Sequence, residues 1–180
     1  MAVPPVFVSG QVLTAAQMNQ IALWEVYPQT SFTSATTITR DNIFTSDYEN
    51  YLIRLSHGTA SASITAQFRV GGVAAATNYN TQAAEMINAT AWTVFKNTGQ
   101  TNADIGSAGT TKGFTDIYIY GPALAAQTGF VGLTNYASGS SIPGYQIRSG
   151  NHSTATAYDG IAISFSSANT GNYTIYGFNK

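Results

Sequence analysis

Tyr51, Ile53 and Leu55 fall on one side of an extended chain, with Leu52, Arg54 and Ser56 on the other. After the small-residue break His57-Gly58-Thr59-Ala60-Ser61, alternation resumes. Ala62, Ile64, Ala66, Phe68 and Val70 then oppose Ser63, Thr65, Gln67 and Arg69, and Gly71-Gly72 ends the run. A period of two, carried by β-branched and aromatic residues, predicts two strands with one buried face. The short break predicts that they are antiparallel neighbours at the centre of a sheet.

The same period recurs along the chain. Residues 30–40, rich in Ser and Thr with few apolar positions, suit an edge strand, and 41–50 reads as a polar connection carrying Phe44. Segments 73–80, 81–88 and 91–95 follow, with Trp92 and Val94 in the last. Ile117 and Ile119 alternate with Phe114, Tyr118 and Tyr120 up to Gly121-Pro122, and 129–136 is a further strand. Residues 145–148 predict a short strand, and Ile161, Ile163 and Phe165 mark another. The turn Ala168-Asn169-Thr170-Gly171 leads to a last strand over 173–178. Residues 97–112 read as a long polar loop, and 137–144 and 149–159 as two more. Many short strands at even spacing predict an all-β, antiparallel β-sandwich of jelly-roll type.

One helix is expected, near the start. Pro4-Pro5 makes residues 3–8 an extended arm; Thr14 then caps a helix, with Gln17 at the capping-box position and Leu13 and Met18 as a hydrophobic staple. Met18, Ile21 and Ala22 line one face, Leu23 and Trp24 form the exit, and Pro28 closes the segment. A helix this short must dock, on its own domain or on a neighbouring subunit. The chain thus divides into an arm with helix over 1–28 and a β-domain over 29–180.

Composition narrows the function. Charged residues make up 8% of the 180, and the net charge is -1. Nothing steers the chain toward phosphates, so nucleic acid is not an expected partner. With no cysteine there are no disulfides or thiolate metal sites. The start lacks the features of a signal peptide and no apolar run is long enough for a membrane helix, so cytoplasmic synthesis without membrane insertion is expected.

The segment Gly10-Gln11-Val12-Leu13-Thr14-Ala15-Ala16-Gln17-Met18-Asn19 resembles the Gly-x-x-Leu-Thr-Ala-Ala-x-x-Asn opening of many tailed-bacteriophage virion proteins. The run from Phe44 to Leu55 is similar to the first core strand of the small β-sandwich in phage tail and appendage proteins, and residues 170–180, with Tyr176-Gly177, to their last strand. The middle of the chain, 73–160, matches nothing. The resemblance implies a structural protein of the virion whose N-terminal segment holds other virion proteins and whose β-domain is displayed as a homotrimer. On that basis Phe7, Leu13, Thr14, Gln17, Met18, Ile21 and Trp24 are the anchoring residues. It favours a tail-associated fibre or tip subunit for host attachment, with a capsid decoration or head-fibre protein as the alternative. A free carbohydrate-binding module or glycan hydrolase is the third reading.

Catalytic chemistry finds little footing. Asp47 and Glu49 are two apart, but both lie in the lead-in to a strand, where solvated acids are ordinary. His57 and His152 are the only histidines, too few for a metal site, and His57 is expected in a loop or half-buried. No nucleophile elbow, phosphate loop or dinucleotide fingerprint is present. A non-enzymatic protein without cofactor or metal is expected. Of eleven tyrosines, Tyr136, Tyr145 and Tyr158 border the expected loops, as does Tyr79. Rings with polar tips there suit stacking on a host-surface glycan or filling a protein interface, the alternative being that most pack in the sandwich with their hydroxyls at the rim.

Overall fold

A computed structural model of the protein describes residues 9–10, 23–87, 91–137 and 143–178. These form eleven strands: β1 (Trp24–Arg40), β2 (Asn50–His57), β3 (Ala62–Val70), β4 (Val73–Ala74), β5 (Tyr79–Met86), β6 (Thr93–Gln100), β7 (Ala103–Ala108), β8 (Gly113–Tyr120), β9 (Thr128–Ala137), β10 (Pro143–His152) and β11 (Gly160–Phe178). The class is all-β and every pairing is antiparallel, as alternation predicts. No helix occurs among the described residues. The body of the expected helix lies outside them, but Trp24, placed at its exit, is instead the first residue of β1, and Pro28 lies within that strand. The sheet therefore starts ahead of the expected boundary at 28/29.

β11 is the seam of the molecule. Its second half pairs with β2 and its first half with β3, while β1 runs along its other edge through both halves. This corrects the expected β2–β3 hairpin: the two strands follow one another along one edge of β11 and do not pair. The reason lies in their phase. Inward positions are odd in β2 (Tyr51, Ile53, Leu55) and even in β3 (Ala62, Ile64, Phe68). Between the His57–Gly171 and Ile64–Phe165 pairs, the β2–β3 side carries one residue more than the β11 side. The extra residue turns the ladder and keeps the apolar side on the core.

The turn expected at 168–171 is likewise part of one continuous strand. Asn169 is fully buried there, its Oδ1 accepting from the Gly58 and Thr59 amides at 2.9 and 3.3 Å and its Nδ2 donating to the Ala60 carbonyl at 2.8 Å. An amide that looks like a turn former satisfies the backbone of the break opposite it.

From β2 the sheet continues through β8, β9, β10, β5 and β6, while β7 and β4 edge it beyond β3. The sheet curls so that β7 lies against β9 across the core. A Cβ at Gly132 would run into the Ile105 carbonyl, and one at Gly106 into the Thr134 hydroxyl. This overturns the long loop expected over 97–112. β6 extends to Gln100, and Ala103, Ile105 and Ala108 of β7 are buried. The layers approach most closely at Gly106 and Gly132, so β7 is mostly small residues around a single large apolar one, Ile105, and lacks the apolar signal of a strand.

The core is continuous across the curl, with Tyr51, Ile53, Ile64, Phe68, Ile117 and Tyr173 among its members. Each fully buried Ile or Phe contributes about 1.5–3 kcal/mol relative to exposure. His57, expected in a loop or half-buried, ends β2 and is fully buried beside this core, its Nε2 3.0 Å from the Thr115 hydroxyl, which itself lies 3.0 Å from that of Thr134. Burial lowers its pKa from 6.5 to about 4, so the ring is neutral near pH 7.

Candidate functional site

β10, β5 and β6 form the outer end of the sheet, and their alternate residues build two unlike faces. On the outward face the register sets side chains in rungs. Tyr145, Met86 and Trp92 form the first, with the Tyr145 and Trp92 rings edge to face at 6.0 Å. The next rung is Ile147, Ala84 and Val94, continued by Leu133 on β9. Then come Ser149, Gln82 and Lys96, and after them Asn151 and Asn80, joined at 2.9 Å from Nδ2 of Asn80 to Oδ1 of Asn151.

Two adjoining depressions lie along these rungs and share Gln82 and Lys96. One, of about 550 Å³, is lined chiefly by Ala84, Val94 and Ile147. The other, of about 430 Å³, is lined by amides and hydroxyls including Asn80, Asn97, Thr98, Ser149 and Asn151. Along β10 the depressions run from Ile147 to Asn151, and with the Tyr145–Trp92 pair that flanks them the face spans ~20 Å at strand rise. Val94 is 73% exposed, Trp92 50% and Tyr145 39%, so large apolar groups stand in solvent on this face.

The inward face of the same strands is charged. Arg148 is buried, its Nη2 donating to Glu85 Oε2 at 2.7 Å and its guanidinium lying 4.7 Å from the centre of the Phe95 ring. Asp104 Oδ1 on β7 stands 3.4 Å from Nε, close enough for an ion pair but without hydrogen-bond alignment. Gln146 completes the cluster: its amide Nε2 donates to Glu85 Oε2 at 3.0 Å and to Ser107 Oγ at 3.2 Å. Burial pushes the Asp104 carboxyl above its ordinary range, and Arg148 draws it back.

The expected site residues separate sharply. Tyr145 stands exposed one rung beyond the groove. Tyr136 and Tyr158, expected beside it, are buried, and Tyr79 with them. Tyr158 donates or accepts at 2.7 Å with His152 Nδ1 and stacks on Phe68, so its ring is part of the core. Of the stretches read as display loops, Asn97, Thr98 and Ser149 to Asn151 do reach the groove, but from strands. The expected strand over 145–148 is the longer β10, and residues 138–142 lie outside the described set.

Among the anchoring residues, Phe7, Leu13, Thr14, Gln17, Met18 and Ile21 lie outside the described residues. Trp24 packs against the domain's own core, its ring 6.0 Å from that of Tyr48. Asp47 takes a hydrogen bond from Thr45 at 3.2 Å and Glu49 is exposed, so the pair stays in the strand lead-in. No cluster of metal-ligating side chains and no helix long and apolar enough to cross a membrane occurs among the described residues.

Sequence reasoning missed the Glu85–Arg148–Asp104 cluster and the apolar rung. The signal was present in β10, where Tyr145 and Ile147 share one side and Gln146 and Arg148 the other. That alternation has the form of a half-buried strand with its usual polarity reversed. No family model matches the chain, no curated protein matches it, and no solved structure matches its fold.

Proposed function

We propose that the protein is a non-catalytic structural component of a tailed-phage virion, a tail-associated fibre or tip subunit that attaches to the host surface. The observation that carries the attachment role is the outward face of β10, β5 and β6. It presents a 6.0 Å aromatic corner, an apolar step and a row of neutral amides along one groove. Such a surface binds and orients a ligand. The nearby carboxylates, Glu85 and Asp104, are turned to Arg148 on the opposite side of the strands. The virion assignment rests on the resemblance of the Gly10 to Asn19 segment and of the first and last core strands.

In this reading the curled sheet is a jelly-roll-like sandwich with its first and last strands, β1 and β11, paired at the seam. The N-terminal segment joins it to other virion proteins, and the displayed form is a homotrimer. Capsid decoration is the second reading, favoured by exposed Phe114 and Tyr120 on the outer face of β8, which suit contact with a shell.

Virions assembled without the protein test both. Particles that form but fail to adsorb are the expected result. Particles that adsorb normally without it sink the attachment reading, and shells that lose stability favour decoration.

A further inference from the structure

We infer that the groove on β10, β5 and β6 takes an uncharged, extended oligosaccharide carrying acetamido groups. The inference rests on reading this face as a binding surface, and it adds the chemistry of the ligand. Charge comes first. Lys96 is the one ionisable side chain among the residues lining the two depressions, and the rest offer amides, hydroxyls and apolar groups. A polyanion would find a single cation, and a cationic ligand would find no carboxylate facing it.

The order of the rungs supplies the rest. Sugar rings have apolar faces of C–H groups and polar rims, which match aromatic rings and neutral hydrogen-bonding groups respectively. The Tyr145–Trp92 corner provides the aromatic surface, and Asn80, Asn97 and Asn151 provide the rim partners. Between them lies the step formed by Ala84, Val94 and Ile147, which hydroxyls alone would leave poorly filled. Gln82 and Lys96 border that step. A methyl group beside an amide satisfies both requirements, with the methyl on Ala84, Val94 and Ile147 and the acetamido carbonyl accepting from Gln82 Nε2 or Lys96 Nζ. An N-acetylhexosamine carries that substituent. The ~20 Å length of this face suits a chain of several rings lying along the strands.

The test uses the purified full-length protein, so that its outcome is independent of any virion assignment. The β-1,4 tetramer of N-acetylglucosamine and the β-1,4 tetramer of glucose are titrated separately, with backbone amide shifts followed by NMR. The acetylated tetramer should bind more tightly and shift residues 82–84, 94–96 and 145–151. Its affinity should change little between about 0.05 and 0.5 M salt, because screening acts on charges. Tyr145→Ala should weaken binding roughly tenfold. Ala84→Leu, which fills the apolar step, should abolish the preference for the acetylated tetramer. Circular dichroism melts of both variants check that each is folded. Equal affinity for the two tetramers, no binding of either, a strong salt dependence, or shifts confined to another face would each overturn the inference. So would dissociation of an oligomer by Tyr145→Ala, which would make this face a contact between copies of the chain.

Discussion

The two faces of β10, β5 and β6 invert the usual arrangement. Outward stand Tyr145, Ile147, Ala84 and Val94 with neutral amides, and inward lie Arg148, Glu85 and Gln146 against Asp104 of β7. In a chain with only 8% charged residues, three charges are gathered where the sheet curls over its own edge. Their grouping has a physical basis. A buried guanidinium needs carboxylates near it, and Glu85 and Asp104 reach it from different strands, so the cluster ties β10 and β5 to β7. The outward face keeps a single charge, Lys96, among rings, apolar groups and neutral amides, and in the proposed reading recognition comes from shape, ring contact and neutral hydrogen bonds. One side of the ribbon holds its curvature and the other displays what that curvature shapes.

Removing the tie should produce the largest effect. Arg148→Ala leaves Glu85 and Asp104 facing each other without a cation, and should cost about 3–5 kcal/mol of unfolding free energy in urea. Adding Glu85→Gln and Asp104→Asn should recover most of that loss, because the uncompensated charges go with the cation. If the triple variant is no more stable than Arg148→Ala, the cost lies in lost packing on Phe95 and the charge argument fails.

Acid probes the inner side without a mutation. The folded-state pKa of His57 lies at about 4, below the ordinary 6.5, because burial disfavours the imidazolium. The unfolded chain therefore takes up a proton that the folded chain refuses. The stability due to this group is complete above about pH 6.5 and falls as pH drops toward 4, by roughly 3 kcal/mol. His57→Gln, which can keep a hydrogen bond to Thr115, should flatten that part of the profile. An unchanged profile in the variant would assign the acid sensitivity to the carboxylates.

The outer face should give the smallest response in stability. Tyr145 is 39% exposed, and Tyr145→Ala should shift the unfolding free energy by about 0.5 kcal/mol or less. A loss comparable with that of Arg148→Ala would show that the ring supports the fold, and the contrast between the two faces would collapse.

The sequence by itself determined the class, because a period of two needs only local order to be read. Tyr51 to Leu55, Ala62 to Phe68 and Ile117 to Ile119 bury the positions that alternation marks. It also brought Tyr145, Asn97 and Ser149 to Asn151 into view as residues away from the core, since polar and aromatic groups outside the expected core are visible without a partner. Tertiary structure decided the rest. That β2 and β3 line up along one edge of β11 and do not pair depends on a strand about ninety residues away in sequence. That β7 is a strand depends on the close approach of β9 at Gly106, which leaves Ile105 as its one large apolar residue, too few to announce it. Tyr136 and Tyr158 were indistinguishable from Tyr145 in the sequence, and only the packing of β9 and the core around His152 buried them. Periodicity reports which residues share a side of a strand. Which side meets the core, and which side remains in solvent, is set by the layer that folds over it.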